Sequence, residues 1–223
     1  MDGNGRWAQQ RGLERIAGHQ AGRKSVREVV EGCVEIGIPI LTLYTFSIEN
    51  WQRPVTEVQG LMAFLRQVLE EERGELRKNG VRLRTIGRVE DLPEEVRRSL
   101  RGTQEYLAQG DRMCLNLALS YGGRAEIVDT LNRIAREVQA GRIQPGEIDE
   151  ELVERFLYTS GQPHPDLLIR TSGELRLSNF LLWQLAYAEI WVTETLWPDF
   201  RKEDLFRAVA DYQKRNRRFG RVG

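Results

Sequence analysis

Cysteine is nearly absent. Cys33 and Cys114 are the only two, they lie far apart without metal-ligand spacing, and each falls in an apolar-periodic stretch. That excludes a disulfide framework and a cysteine-built metal centre, and it is how buried free thiols are used in a reducing compartment. Net charge is absent as well, since Lys and Arg total 33 and so do Asp and Glu. A balanced chain does not attract nucleic acid through a bulk field, so no nucleic-acid partner is expected. The basic tail KRNRRFGR reads as a solvated or phosphate-facing end. No apolar run approaches the roughly 20 residues that span a bilayer, and no secretory pattern opens the chain. A soluble, cytoplasmic protein is the expectation. Neither repeat, low-complexity tract nor linker interrupts the sequence, so residues 1–223 are expected to form one domain, large enough to bury a core without staples.

What the sequence does contain is alternation. From Gly22 the pattern is helical, with Val26, Val29, Val30, Cys33 and Val34 on one face and Gly37 closing it. Ile40 to Phe46 is a short apolar run suited to a buried strand. A long amphipathic helix is expected after Pro54, with Val58, Leu61, Met62, Leu65, Val68 and Leu69 on its apolar face. Val81 to Ile86 reads as a strand and Pro93 to about Leu107 as a helix; Met113, Leu115, Leu117 and Leu119 alternate as a strand does. Helices follow near 125–138 and 150–157, then a strand at 166–170 and a last helix from about Lys202. Repeated alternation of strand and helix predicts an α/β fold, a mostly parallel central sheet covered by helices on both faces.

Such sheets bind ligands beyond the carboxyl ends of their strands. Four polar segments occupy those places: Asp2–Arg6, Ser47–Arg53, Ser120–Arg124 and Thr171–Asn179. The first 22 residues hold five glycines, three arginines and His19. A glycine-rich entry to a helix lets backbone N–H groups approach an anion, and Arg6, Arg15 and His19 can bond phosphate oxygens, although an ordinary tight loop has the same composition. Asp2 tips the reading, because a carboxylate beside a phosphate cradle repels the ligand unless a cation such as Mg²⁺ lies between them. Ser47, Glu49, Asn50, Trp51 and Arg53 crowd the end of the second expected element, where Trp51 could also simply cover the core. Arg170, Arg176 and Ser178 could hold a second diphosphate, unless Glu174 pairs with one of the arginines. Glu189 lies in an apolar context, where a carboxylate needs a partner or a metal, and Asp2 is the natural one across a metal. His164, between two prolines, reads as a loop residue. Trp183, Tyr187, Trp191 and Trp197 read as core.

Together these segments resemble the undecaprenyl diphosphate synthases, a family of cis-prenyltransferases. The matching stretches are DGNGRWA (2–8), GHQAG (18–22), LTLYTFSIENWQRP (41–54), YGGRAEI (121–127), DLLIRTSGELRLSNFLLWQLAYAE (166–189), WPDF (197–200) and RRFG (217–220), in the family order from end to end. The resemblance implies an Mg²⁺-dependent enzyme that extends an allylic prenyl diphosphate, farnesyl diphosphate being the expected primer, with isopentenyl diphosphate. The product implied is a long-chain Z-polyprenyl diphosphate such as undecaprenyl diphosphate, precursor of the lipid carrier of cell-wall synthesis. It implies an allylic subsite of Gly3, Asn4, Gly5, Arg6, Arg15 and His19 with Trp7 nearby, and a homoallylic subsite of Arg170, Arg176, Leu177 and Ser178. Asp2 and Glu189 match the metal residues. Ser47, Ile48, Glu49, Asn50, Trp51 and Arg53 match the loop over the reacting ends, where Asn50 is credited with assisting proton removal. An amide is a poor base, and a diphosphate oxygen is the alternative acceptor.

The resemblance further implies an apolar tunnel near Thr45 and Met113, walled by Val58, Leu61, Met62 and Leu65. It also implies a homodimer in which Arg218 and Gly220 of the tail reach the partner's homoallylic site, and a passing contact with a membrane surface for product release. Two departures stand out. Family members carry a strand ahead of the Met-Asp-Gly-Asn with which this sequence begins, so a first strand is expected to be missing. Ser120 and His164 replace the usual Asn and Asp, without assigned chemistry. Among rival readings, a phosphatase using an aspartyl phosphate needs a carboxylate where Asn4 stands. A non-catalytic subunit of a heteromeric prenyltransferase would lack the Asp-Gly-Asn-Gly-Arg loop. A plain phosphate- or nucleotide-binding module would not need two subsites beside an apolar wall.

Overall fold

The structure is a computed structural model and describes residues 1–215. The sheet forms from three strands, β1 (Ile40–Ser47), β2 (Val81–Ile86) and β3 (Met113–Tyr121), all parallel in the order β1-β3-β2. Every residue of β3 is buried, as the central strand of a sheet covered on both faces requires. Two further strands, β4 (Leu167–Arg170) and β5 (Glu189–Val192), pair in parallel as a separate sheet. The single sheet expected from sequence is therefore divided in two. The main-chain N–H of Asp2 donates to Thr171 Oγ1 just past β4, while Met1 packs against the core under the first sheet. The strand β5 had no signal in the sequence: it is only four residues long and sits inside an aromatic-rich run.

The helices are α1 (Asn4–Gln9), α2 (Arg15–Glu35), α3 (Val55–Lys78), α4 (Glu94–Tyr106), α5 (Gly123–Gln139), α6 (Glu150–Phe156) and α7 (Lys202–Gln213). Helices α3 and α4 start directly after Pro54 and Pro93, where the missing N–H costs nothing. Helix α6 starts under Asp149, whose carboxylate accepts from the N–H of Leu152. Val29, Cys33, Leu61, Leu69, Leu83 and Leu115 belong to one core between these helices and one face of the first sheet. On the other face Ile86, Ala118 and Tyr121 pack on Phe180, Leu181 and Leu185. Cys33 and Cys114 are buried free thiols, as their contexts predicted.

The main departure lies in the first helix. Helix α2 begins at Arg15, not Gly22, and a short helix α1 precedes it. Gly18 and Gly22 look like breakers in sequence, yet they sit inside α2 on the face that meets α1. A Cβ at Gly18 would stand 1.9 Å from the carbonyl oxygen of Asn4, and one at Gly22 would stand 2.7 Å from Asn4 Oδ1. The glycines are spent on close approach rather than on a loop.

Strand β1 ends irregularly. Its register against β3 shifts between Tyr44 and Phe46 and again before Ser47, which pairs with Tyr121 and leaves Ser120 out. Such bulges re-aim side chains at the rim of a sheet, and here Leu43, Thr45 and Phe46 all line the same cavity. Substituting Gly18 by Ala should destabilise the protein by about 1–3 kcal/mol in urea unfolding, because the added methyl meets backbone that cannot rotate aside. The same change at Gly74, where the new methyl would meet no atom within 4 Å, should be neutral or slightly stabilising.

Candidate active site

The four polar segments do come together at the carboxyl ends of the strands, and hydrogen bonds join them. Gly3, with φ of 104°, turns the chain into α1; its Cβ position lies 2.3 Å from Ser172 Oγ, so no other residue fits. Asp2 Oδ1 accepts from the N–H of Gly3 at 2.7 Å, and Oδ2 accepts from Arg170 Nη2 at 2.9 Å. Burial works against that carboxylate, but the Arg170 bond and charge outweigh it, and Asp2 stays below the usual carboxylate range. Arg170 also donates to Ser178 Oγ at 2.9 Å and to the carbonyl of Arg176. Arg6 donates to the carbonyl of Ser172 at 3.1 Å and lies 3.3 Å from Glu174, which also pairs with Arg176. Asp2, Arg6, Arg170, Arg176 and Ser178 thus form one cluster. Its Glu174 takes the pairing role that the sequence left open.

A second cluster lies across α1. Gly5 faces the Arg15 guanidinium, with a Cβ position 3.1 Å from Arg15 Cζ. Arg15 and Arg53 both bond Glu57 Oε1, at 3.3 and 3.0 Å. His19 lies beside them. Burial first, then the positive charges of Arg53 and Arg15, lower its pKa from 6.5 to about 4, with Glu57 offsetting part of the effect. The imidazole is therefore neutral at pH 7. Glu57 escaped the sequence reading because its helical position looked like ordinary solvated surface.

The loop after β1 is a 3₁₀ turn, Ile48–Gln52. Asn50 Oδ1 accepts from the N–H of Ser47 at 3.1 Å, so the amide holds its own turn closed. Trp51 packs on the core, as its simpler reading allowed, and its indole N–H donates to Ser120 Oγ at 2.9 Å. Ser120 in turn donates to Asp91. Glu49 accepts from Asn179 Nδ2 at 2.8 Å, while Asn179 Oδ1 accepts from the N–H of Arg124 and its carbonyl accepts from that of Gly123. Asn179 therefore ties three segments together. Its φ of 63° lies in the left-handed region, which asparagine tolerates. Ile48 stands beside Gly122, and Leu177 packs under the second core.

Some expected residues lie elsewhere. The Trp7 indole N–H donates to Asp199 at 2.9 Å and its ring lies under Arg11. Glu189 does not share a site with Asp2 within one chain. It opens β5 opposite Leu167 and bonds Arg215 at 2.7 Å, whereas Asp2 sits beyond the other end of the two-stranded sheet, at Arg170 and Thr171. Among the described residues no three His, Cys, Asp or Glu side chains gather as a metal site. Asp2 alone still suits Mg²⁺, a hard cation that one or two carboxylates hold together with substrate phosphate oxygens and water. Its carboxylate is part-exposed, and the buried Ser172 Oγ and Arg170 Nε next to it have no protein partner. His164 pairs with Glu154 on the surface, and Arg218 and Gly220 lie outside the described residues.

Behind both clusters opens an apolar cavity of about 150 Å³. Asn4 and His19 line its site end, and Thr45, Leu61, Met62, Leu65 and Leu117 line its walls. Val58 and Met113, expected there, are not among its lining residues; Met113 is buried in the core instead.

The chain is similar to known proteins along nearly its whole length. The profile of a family described as "Putative undecaprenyl diphosphate synthase" matches residues 1–220. An isoprenyl transferase of Heliobacterium mobile is 54% identical over 222 residues, covering 100% of this chain and 85% of that protein. The crystal structure of lavandulyl diphosphate synthase from Lavandula x intermedia, in complex with dimethylallyl diphosphate, superposes with a TM-score of 0.96 at 36% identity. That match covers 99% of this chain and 95% of the other. A probable undecaprenyl diphosphate synthase from Campylobacter jejuni gives 0.79 at 37% identity, covering 91% and 93%.

The lowered His19 pKa has a measurable sign. Between pH 6.5 and about 4 the folded protein binds fewer protons at His19 than the unfolded chain, so this residue's contribution to stability falls as pH drops through that window. NMR titration of the imidazole should show it neutral down to about pH 4. Adding inorganic pyrophosphate should raise its pKa by at least about one unit through the new negative charge. An unmoved pKa with pyrophosphate bound would place the anion away from His19.

Proposed function

The chain belongs to the undecaprenyl diphosphate synthase family of isoprenyl transferases, and from that premise we propose that it condenses isopentenyl diphosphate onto an allylic prenyl diphosphate. One observation carries this reading: two arginine clusters flank α1 at the mouth of an apolar cavity. Two anions and one growing hydrocarbon need that combination, and a lone phosphate-binding module does not. The dimethylallyl diphosphate bound by the lavender relative supports an allylic diphosphate as one ligand.

In the proposed reaction the allylic C1–O bond breaks and diphosphate leaves with the electron pair. The terminal carbon of the isopentenyl double bond forms the new bond to C1. A proton then leaves C2 of the isopentenyl unit, restoring a double bond. Arg15, Arg53 and His19 with the N–H groups of Asn4 to Arg6 hold the allylic diphosphate, and Arg170, Arg176 and Ser178 hold the isopentenyl one. Fixed cationic donors stabilise the charge that develops on the leaving group, and holding both substrates in line supplies proximity. Mg²⁺, held by Asp2 and diphosphate oxygens, would add Lewis-acid stabilisation of that charge. Asn50 keeps the turn over the reacting ends in place while the departed diphosphate takes the proton, since its amide oxygen is committed to Ser47. The product proposed is a long-chain Z-polyprenyl diphosphate of the lipid-carrier class, primed by farnesyl diphosphate, made in the cytoplasm and released at a membrane surface. A homodimer in which the partner's Arg218 and Gly220 reach the homoallylic site completes the proposal; the exposed apolar side chains of Leu175 and Ile190 support such a contact.

Incubation with labelled isopentenyl diphosphate, farnesyl or dimethylallyl diphosphate and Mg²⁺, followed by product sizing, tests the activity directly. Asp2→Ala should lower kcat by about 10²–10³ with the fold intact by circular dichroism, and a chelator should mimic it. Arg176 and Arg15 separate the two subsites best, because both are largely exposed and each pairs with only one acidic side chain. Arg176→Ala should raise KM for isopentenyl diphosphate about tenfold or more, and Arg15→Ala should do so for the allylic primer. Equal effects on both substrates would refute the division.

A further inference from the structure

Apart from Asn4, His19, Thr45 and Asn79, the cavity wall is apolar except along one charged seam. Its charged carboxylate and guanidinium lining residues are Arg23, Arg27, Glu31, Glu72 and Glu75, and all five come from α2 and α3. These helices run side by side away from the site, Arg15 meeting Glu57 at one end and Arg23 and Arg27 meeting Glu72 further on. Glu72 is only 7% exposed and both its oxygens are taken: Arg27 bonds it through Nε at 3.1 Å and Nη2 at 2.8 Å, and Arg23 bonds it from the other side. Arg23 also pairs with Glu71, whose side chain, like that of Arg27, is more than 40% exposed. The ionic seam therefore reaches from solvent to the cavity. Burial opposes the charge on Glu72, yet the bonds from Arg27 and Arg23 keep it ionised.

A wall sealed by packed leucines can open only by exposing apolar surface. At the seam, opening hands a carboxylate and two guanidiniums to water, which hydrates them well, so this part of the wall opens with less apolar exposure and reseals by charge. A hydrocarbon inside offers those groups nothing and does not compete for them. We propose that the Arg23–Glu72–Arg27 seam is a side latch through which the tail of an isoprenoid too long for the cavity passes out between α2 and α3. On this account Glu72 is a determinant of product length. The inference rests on the prenyl-transfer reading of the site.

The test compares product lengths from isopentenyl and farnesyl diphosphates for three proteins. Glu72→Gln weakens the latch and should shift the main product longer by one or more five-carbon units, with a broader spread. The triple variant Arg23→Met, Glu72→Leu, Arg27→Met replaces the ionic seam by apolar packing, a change that buried ion triads tolerate. It should shift the main product shorter, while single-turnover addition of the first unit keeps the wild-type rate. Raising salt should lengthen the wild-type product and leave that of the triple variant unchanged. Lengths identical in all three proteins, or both variants shifting in one direction, would overturn the latch. If Glu72→Gln fails to fold, the triple variant and the wild-type salt series decide alone. A wild-type protein that makes no prenyl product would instead refute the parent reading.

Discussion

Everything at the site hangs on the contact between the carbonyl of Asn4 and the bare backbone of Gly18. Helix α1 has six residues and no side-chain cap, too short to persist on its own. It holds its place because α2 presents Gly18 and Gly22 where any other residue would collide with Asn4. Once α1 is seated, Gly5 faces Arg15 on one side while Asp2 and Arg6 face Arg170 and Glu174 on the other. A single backbone approach thereby sets the spacing of two cationic clusters.

The charges of those clusters are held ready without being spent. Arg15 and Arg53 share Glu57, Arg6 and Arg176 share Glu174, and Arg170 bonds Asp2. Such part-exposed pairs contribute little stability. They do fix where each guanidinium stands, so that on the proposed reading an incoming diphosphate exchanges one set of oxygens for another instead of gathering loose side chains. The neutral His19 fits the same logic, as a polar group that adds no further positive charge to a pocket already holding two arginines.

Much of this could be read from the sequence. The strands β1 to β3, the long helices and the rule that ligands lie beyond strand ends located all four polar segments, because each depends on local periodicity and turn chemistry. What could not be read depends on tertiary choice. Gly18 and Gly22 have the composition of a loop, and only the partner helix explains them. Strand β5 is too short for its alternation to register. Glu57 and Asn179 act across 42 and 130 residues of sequence, and neither looks different from a surface residue or a loop residue by itself. Within one chain the partner of Glu189 was illegible for a similar reason: an apolar setting signals that a carboxylate has a partner, and here Arg215 supplies it.

The bonds of Asp2 have a consequence for how the protein is made. Its main chain meets Thr171 across 169 residues and Trp197 near the far end of the chain. Contacts so distant in sequence form late, since the closure entropy of the intervening loop is paid before they return anything. On the ribosome, which releases a chain from its N-terminus, Asp2 must wait until Trp197 has emerged. Until Arg170 has been made, the nascent chain therefore carries the arginines of α1 and α2 without the guanidinium that bonds Asp2. On the proposed reading, diphosphate binding across both clusters can begin only after the segment through Trp197 has been made.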